Sequence, residues 1–269
     1  MILTLDIGNT ETVIGVFQDQ KLTAHWRISS LPERTIDEFG LLLRAVLRES
    51  GINPASIRGA AVASVVPPIT HAITDACQRH LGCDAISIDA DLDLPIRLDV
   101  DEPRSVGADR IANTLAASRL FHADTIVVDL GTATTYDCIS GAGVFIGGVI
   151  APGPRTSAET LTRRTAKLPR VDIEPPATVI GRRTETALQS GIFFATVEGI
   201  DGIVRRIRSE WKTDALAVAT GGLAPLIAAH CRTIDRVEPF LTLYGLRFAW
   251  DHLRETGQQE QQRGPQQQE

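Results

Sequence analysis

Near its start the chain alternates between apolar runs and a polar turn. Residues 2–5 are almost entirely apolar, residues 6–10 are Asp6-Ile7-Gly8-Asn9-Thr10, and residues 13–17 are apolar again. Two apolar runs separated by a turn that contains Gly and Asn predict antiparallel strands joined as a hairpin. A third strand is predicted over residues 22–28.

The next hundred residues change between helical and strand periodicity. Apolar residues at 36, 39, 43, 46 and 47 share one helical face, and Thr35 with Glu38 predicts a capping box at the helix start. The continuous run of small apolar residues at 59–66 predicts a buried strand. A helix over 69–80 and a strand over 85–88 follow. The order β-β-β-α-β-α-β predicts an α/β fold with helices packed on a mixed sheet.

The second half of the chain repeats the opening pattern. An apolar run at 125–128 leads into Asp129-Leu130-Gly131-Thr132-Ala133-Thr134-Thr135, which lies 123 residues after the first acidic turn. A repeat at almost half the chain length predicts two related domains that face each other across a cleft. A helix over 184–210, a strand over 215–219 and a helix over 242–254 follow. The Gln-rich end has no apolar residue to bury and is predicted to be disordered.

Composition excludes several classes of protein. Apolar residues make up 43% of the 269 residues, too many for a disordered chain. The net charge of −6 argues against a general nucleic-acid binder and against adsorption to anionic membranes. The N-terminus does not resemble a signal peptide, and no apolar run of about 18 residues is present, so we expect a cytoplasmic protein without a membrane span. The four cysteines have no metal-site spacing.

The two acidic turns have the residue types of a phosphate-binding device. In each turn a carboxylate ends a buried strand, and a glycine then lets the backbone approach a ligand closely. Such a turn can direct N–H groups at a phosphate while the carboxylate holds a metal ion or its waters. An ordinary hairpin turn is the alternative for either copy alone. Two copies favour loops that grip a polyphosphate from both sides.

A third carboxylate stands in Gly107-Ala108-Asp109-Arg110, before an apolar helical stretch. Asp109 could simply cap that helix, because the first turn has free backbone donors. It could also be a general base that orients an alcohol for phosphoryl transfer. Arg110 could bind an anionic substrate group through two hydrogen bonds. The turn Thr220-Gly221-Gly222 could let a ring or a ribose lie against backbone, or be a plain turn.

Taken together and in order, these motifs resemble those of the type III pantothenate kinases, which belong to the actin, sugar-kinase and Hsp70 superfamily. The resemblance covers nearly all of the chain except the Gln-rich end. The matching segments are Asp6-Ile7-Gly8-Asn9-Thr10, Ala63-Ser64-Val65-Val66-Pro67, Val106-Gly107-Ala108-Asp109-Arg110, Asp129-Leu130-Gly131-Thr132-Ala133-Thr134-Thr135, Gly147-Gly148-x-Ile150-x-Pro152-Gly153, Arg164-Thr165-Ala166-Lys167-Leu168-Pro169, Ile180-Gly181-x-x-Thr184, Thr220-Gly221-Gly222 and Leu241-Thr242-Leu243-x-Gly245-Leu246.

The resemblance implies a fold of two ribonuclease-H-like (actin-like ATPase) domains with mixed sheets flanked by helices. The domains would span residues 1–118 and 119–255, followed by a disordered Gln-rich tail at 256–269. It also implies a homodimer with the substrate site at or near the dimer interface. The reaction would transfer phosphate from ATP to pantothenate, giving 4′-phosphopantothenate in the first step of coenzyme A synthesis.

The family's residue roles carry over to matching positions. By resemblance, Asp109 is the catalytic base, Asp129 binds K⁺ or NH₄⁺, and Asp6 helps to place Mg²⁺. Pantothenate would contact Gly107, Ala108, Asp109, Arg110 and Thr184. ATP would contact Asp6, Ile7, Gly8, Asn9, Thr10, Glu11, Thr12, Val13 and, from the opposite loop, Thr132.

One segment departs from the family pattern. Many members carry an aromatic residue and Asn-Pro where this chain has Val100-Asp101-Glu102-Pro103.

Two other functions are alternatives. The first is a kinase or phosphatase of the same superfamily that acts on a sugar or a polyphosphate. A non-enzymatic accessory factor for transcription is the second. Retention of Asp109 and Asp129, and the lack of a basic patch, favour the enzyme.

Overall fold

The computed structural model describes residues 1–31 and 34–263, which divide into two compact units. The first unit contains Met1–Arg119 and the residues from Thr242 onward, and the second contains Leu120–Leu241. The chain passes from the first unit to the second after Arg119, one residue beyond the predicted boundary at 118/119. The prediction that residues up to 255 belong to the second domain is wrong for the closing helix, which groups with the first unit.

The sheet of the first unit has the strand order β3–β2–β1–β4–β5. Neighbours β1, β2 and β3 pair antiparallel, whereas β1, β4 and β5 pair parallel. This mixed sheet agrees with the predicted order of elements. The strands of this sheet are β1 (Ile2–Ile7), β2 (Glu11–Gln18), β3 (Lys21–Ser29), β4 (Gly59–Ser64) and β5 (Ala85–Ser87), whereas the short β6 (Arg97–Leu98) is not part of it. The helices are α1 (Ile36–Glu49), α2 (Pro67–Ala76) with a π turn at Cys77–Leu81, and α3 (Ala108–Phe121), with 3₁₀ turns at Pro54–Ser56 and Pro103–Ser105.

The second unit repeats this strand order. Its strands are β7 (Thr125–Leu130), β8 (Ala133–Ile139), β9 (Val144–Pro152), β10 (Leu216–Thr220) and β11 (Arg236–Val237). They run in the order β9–β8–β7–β10–β11, so each unit places its first strand between its second and its fourth. The duplication predicted from the acidic turns therefore extends to the whole sheet. The helices are α4 (Pro154–Arg164), α5 (Thr184–Trp211) and α6 (Ala224–Ala228).

The last helix, α7 (Leu241–Arg263), is longer than predicted. The prediction of a disordered tail is wrong for residues 256–263, which continue the helix. Gln, Glu and Arg have high helix propensity, and a helix that is already nucleated extends at little cost. Residues 264–269 of the predicted tail lie outside the described residues.

Each unit buries its own apolar core between sheet and helices. The predicted capping box starts α1, where the Glu38 amide donates to Thr35 Oγ1 at 3.3 Å and the Thr35 amide donates to Glu38 Oε2 at 2.8 Å. Alternate residues of β1 and β2 face α1 and α2, because strand side chains alternate between two faces. The first core includes Leu3, Leu5, Ile14, Val16, Phe39, Leu43, Val62 and Ile73, and the second includes Ile126, Val128, Leu130, Tyr136, Phe193, Val197, Ile200 and Val204.

Helix α5 is long and apolar enough, by length and composition alone, to cross a membrane. The sequence analysis predicted a helix over 184–210 but no membrane span. In the structure 39% of its most apolar stretch is buried, and four of its apolar side chains belong to the second core. It also carries buried Asp201, whose carboxylate accepts the backbone N–H groups of Arg232 and Thr233. Packing within the second unit therefore accounts for the apolar face of α5.

Two glycines of α7 give a matched test of the contact between α7 and α3. A Cβ on Gly245 would overlap the backbone carbonyl of Ala112, which cannot move aside as a side chain could. We expect Gly245→Ala to lower the free energy of unfolding by about 1–3 kcal/mol or more. At Gly257 a Cβ would meet no atom within 4 Å, so Gly257→Ala should stabilise the helix by about 0.5–1 kcal/mol. Urea unfolding measures both, and equal stabilities of the two variants would contradict the tight contact.

Candidate active site

The first acidic loop connects β1 to β2 in the first unit. Asp6 is half-buried near the end of β1 and pairs in register with Val13. The turn closes through the Gly8 amide, which donates to the Glu11 carbonyl at 3.0 Å. Asn9 and Thr10 are exposed. The loop therefore exposes short polar side chains, and phosphate binding by this turn stays a prediction.

Residues outside the motif hold this loop in shape. Ser30, which follows β3, donates its hydroxyl to the Gly8 carbonyl at 2.7 Å and its amide to the Thr10 carbonyl at 2.9 Å. Its Oγ also lies 2.9 Å from Thr12 Oγ1. Sequence reasoning did not find Ser30, because no local pattern connects residues 22 positions apart. A loop fixed before the ligand arrives does not have to be ordered on binding.

Asp109 lies in the first turn of α3. Its Oδ1 accepts the Arg110 backbone N–H at 2.9 Å, so the capping alternative describes part of its role. Burial raises the pKa of the Asp109 carboxyl, and the Arg110 backbone N–H and guanidinium act in the opposite direction. Burial wins, because it removes water from the charged form. A carboxylate with a raised pKa is a stronger proton acceptor than an ordinary one.

The first unit brings Asp109 to the edge of the sheet where Asp6 lies. Strands β1 and β4 are parallel, so both end there, and the Val65 amide donates to the Ile7 carbonyl at 3.1 Å. A Cβ on Gly107 would lie 3.7 Å from Val65 Cγ1, which places the start of α3 beside that end of β4. Open α/β sheets bind ligands at this carboxyl edge.

The second acidic loop is one residue shorter than the first. Asp129 pairs with Thr135, six residues later, whereas Asp6 pairs with a residue seven positions later. The Gly131 amide donates to the Ala133 carbonyl at 3.0 Å, and Thr132 is exposed at the tip. The repeated motifs thus form two turns of different size.

The start of α4 supports this second loop. The Gly153 amide and the Thr156 hydroxyl both donate to the Thr132 carbonyl, at 3.1 Å and 2.6 Å. A Cβ on Gly153 would overlap the Gly131 carbonyl, so only glycine allows this approach. Sequence reasoning flagged Gly153 but missed Thr156 and the helix that carries it.

The turn at Thr220-Gly221-Gly222 packs against Asp129. Strands β7 and β10 are parallel, with Asp129 opposite Thr220. Gly221 has φ +90°, a conformation that favours glycine, and a Cβ there would lie 2.5 Å from Asp129 Oδ1. The turn therefore makes room for the carboxylate. Contact between this turn and a ring or ribose stays a prediction.

Thr184, the remaining predicted substrate contact, is exposed at the first position of α5 in the second unit. It lies in a different unit from Gly107–Arg110. A groove of about 450 Å³ begins nearby at Ala187 and Leu188, and its other walls are β8, β9 and α4. The departing segment Val100-Asp101-Glu102-Pro103 is largely exposed before the 3₁₀ turn.

The acidic loops fit cations that share their ligands with a substrate. Within residues 1–31 and 34–263, no group of three or more His, Cys, Asp or Glu side chains could hold a metal ion. Asp6 and Asp129 each supply a carboxylate at the end of a strand, and the other carboxylate of the first loop, Glu11, pairs with Arg27. Mg²⁺ commonly binds through one or two carboxylates together with substrate phosphates, which matches such a loop.

Solved structures show the fold. A protein described as a candidate 2-dehydro-3-deoxygalactonokinase from Sinorhizobium meliloti superposes with a TM-score of 0.58 at 12% identity, covering 94% of this chain and 99% of its own. A protein described as a candidate Baf family transcriptional activator from Campylobacter jejuni has the same TM-score and coverage at 19% identity. An activator of 2-hydroxyisocaproyl-CoA dehydratase from Clostridium difficile, with bound ADPNP, has a TM-score of 0.52 at 12% identity and covers 96% and 97%. The predicted α/β fold of actin-like ATPases and sugar kinases is confirmed.

Sequence comparison defines the family. The family model described as type III pantothenate kinase matches residues 2–206. Type III pantothenate kinases from Bacillus cytotoxicus and Desulfatibacillum aliphaticivorans are 42% and 44% identical to this chain. They cover 93% and 94% of it, and 96% and 99% of their own lengths. Together with the fold and the two acidic loops, this match shows that the chain belongs to the type III pantothenate kinase family.

Proposed function

We propose that this protein phosphorylates pantothenate with ATP, in the cytoplasm, to give 4′-phosphopantothenate for coenzyme A synthesis. The family match supports the reaction. The observation that carries the catalytic assignment is Asp109, a carboxylate with a raised pKa at the sheet edge where the Asp6 loop also lies. This combination suits the transfer of a phosphoryl group to an alcohol.

Asp109 orients the primary alcohol of pantothenate toward the γ-phosphate and accepts its proton late in the transfer. The new bond joins the alcohol oxygen to phosphorus, the bond to the β-phosphate oxygen breaks, and ADP leaves. Arg110, beside the base, binds the pantothenate carboxylate. Holding both groups on one helical turn lowers the entropy cost of aligning them.

Residues 6–13 hold phosphates of ATP, and the family resemblance gives Thr132 an ATP contact as well. Asp6 would hold the Mg²⁺ ion that accompanies ATP, and Asp129 would hold K⁺ or NH₄⁺. When bound, these cations offset the repulsion between the carboxylates and the polyphosphate. Asp129 suits a weakly held monovalent ion, because it is the single carboxylate of its loop.

Replacing the proposed base should slow phosphoryl transfer while leaving nucleotide binding intact. We expect Asp109→Asn to lower kcat by about 10²–10⁴, because the amide cannot accept the alcohol proton. Coupled ADP release with pantothenate measures kcat, and calorimetric titration with a non-hydrolysable ATP analogue measures binding. Asp101→Asn, which alters an exposed carboxylate of the same unit, is the matched control and should keep wild-type activity.

The acid side of the pH profile provides a second check on this residue. The base works in its ionised form, so kcat/KM should fall as the pH drops through its pKa. Because burial raises that pKa, the fall should lie above about 3.9, the ordinary Asp value. A near-normal rate for Asp109→Asn would remove Asp109 from the base role.

The monovalent cation assignment predicts a salt dependence that Asp129 controls. Turnover should rise several-fold in K⁺ or NH₄⁺ over Na⁺, and Asp129→Asn should abolish the difference. Asp124, at the opposite end of β7, bonds the Gly141 amide and Thr213 and is the control. Asp124→Asn should keep the K⁺ response, measured by initial rates at constant ionic strength. Equal wild-type rates in the three salts would contradict the assignment.

We also propose that the protein is a homodimer whose second unit supplies the interface. Ile180 is 82% exposed and Val179 is 68% exposed, in the segment that leads to Thr184. The neighbouring groove is lined mainly by apolar and small side chains of α5. Exposed apolar residues beside an apolar groove are typical of an interaction surface. The family resemblance puts the pantothenate site near the dimer interface and Thr184 in contact with pantothenate, which supports an interface formed by this segment.

A charge in this segment should separate the copies. We expect Ile180→Glu to shift the protein to monomer and to raise KM for pantothenate, because a carboxylate in an apolar interface loses its water. Leu41→Glu, at a 62% exposed position on α1, is the control and should remain dimeric. Analytical ultracentrifugation measures the assembly. A monomeric wild type, or a dimer that survives Ile180→Glu, would refute this interface.

A further inference from the structure

Asn113 lies on α3 one helical turn after Asp109. Its side chain is buried, with 1% of the residue exposed. Residues four apart share a helix face, and helical side chains lean toward the N-terminus. The amide of Asn113 therefore lies over the turn that carries Asp109.

Only one of the two polar atoms of the Asn113 side-chain amide has a hydrogen-bond partner among the described residues. Its Oδ1 accepts the Thr242 hydroxyl at 2.9 Å, whereas its buried Nδ2 has no hydrogen-bond partner among the described residues. Burying a donor without a partner is unfavourable, and an apolar side chain of similar shape would avoid the cost. A native buried donor of this kind needs an explanation.

The contact between α7 and α3 fixes the direction of this donor. Thr242 is 5% exposed at the start of α7, and Gly245 brings α7 against the backbone of Ala112. Because the amide is planar, fixing Oδ1 on Thr242 directs Nδ2 away from α7. The donor is held in place before any substrate binds.

We propose that Asn113 is a positioning residue for Asp109: when the alcohol is bound, the Asp109 carboxylate, one turn away on the same helix face, accepts a hydrogen bond from Nδ2. Asp109 Oδ1 already accepts the Arg110 backbone N–H. A second donor fixes the rotation of the carboxyl group, which leaves one oxygen directed at the alcohol. The inference rests on the proposed function, since it assigns Asn113 to the reaction of Asp109.

Asn113→Leu, which keeps the volume and removes the amide, tests the proposal. We expect kcat with pantothenate to fall about 10–100-fold, the usual effect of misplacing a catalytic group. KM for ATP should change less than about twofold, because the phosphate loops are untouched. Thr114→Val is the matched control: it removes a buried hydroxyl of the same helix that bonds the Arg110 carbonyl. It should keep kcat within about threefold.

A double variant separates positioning from a general structural role. In the Asp109→Asn background, Asn113→Leu should cause no further loss of kcat, because its effect passes through Asp109. If the double variant shows the product of the two single losses in kcat, the proposal is overturned. Equal losses of kcat in Asn113→Leu and Thr114→Val would overturn it as well. If the leucine variant does not fold, Asn113→Ser, which keeps a hydroxyl near Thr242 and lacks the amide, takes its place with the same expectations.

The two proposals fail in different ways. A wild-type protein that does not phosphorylate pantothenate would refute the proposed function itself. If the wild type is active, Asp109→Asn abolishes that activity and the Asn113 variant keeps the wild-type kcat, only the positioning role would be refuted.

Discussion

The parallel pairing of β1 with β4, and of β7 with β10, is the constraint on which the candidate site depends. Parallel strands end at the same edge of a sheet, so the turns that follow them become neighbours. In the first unit this pairing bonds Val65 to Ile7 and brings the start of α3 beside the Asp6 loop. In the second it sets Gly221 against Asp129. Without these pairings the motifs would be separate surface turns.

Both loops are held by residues distant from them in sequence. Ser30 fixes the first loop, and Thr156 with Gly153 fixes the second through the Thr132 carbonyl. A site that is ordered in advance spends little binding energy on ordering itself, and it can direct its dipoles at a charged ligand. This physical arrangement suits a polyphosphate, whose charge is large and whose oxygen atoms are closely spaced.

Duplication gave the chain two sheets of one strand order but two loops of different size. The second loop is one residue tighter and lies against the Gly221 turn, whereas the first is wider and backed by Ser30. The two turns therefore present different surfaces to a ligand. This difference supports the proposal that one loop cradles phosphates with their divalent ion while Asp129 serves a monovalent one.

The sequence by itself determined the local elements and the motifs. The capping box at Thr35, the alternation in β1 and β2, and the repeated acidic turns depend on neighbours within a few positions, so periodicity and residue type reveal them. The family resemblance supplied the roles of the carboxylates, which composition and spacing left open between capping, turn formation and catalysis.

Tertiary structure alone decided the rest. It placed α7 in the first unit, extended that helix through residues predicted to be disordered, and packed Gly245 against Ala112. It also brought Ser30 to Gly8 and Thr242 to Asn113, pairs separated by 22 and 129 positions. Such partners leave no local signal, because any small polar residue looks the same in sequence until packing determines what lies opposite it.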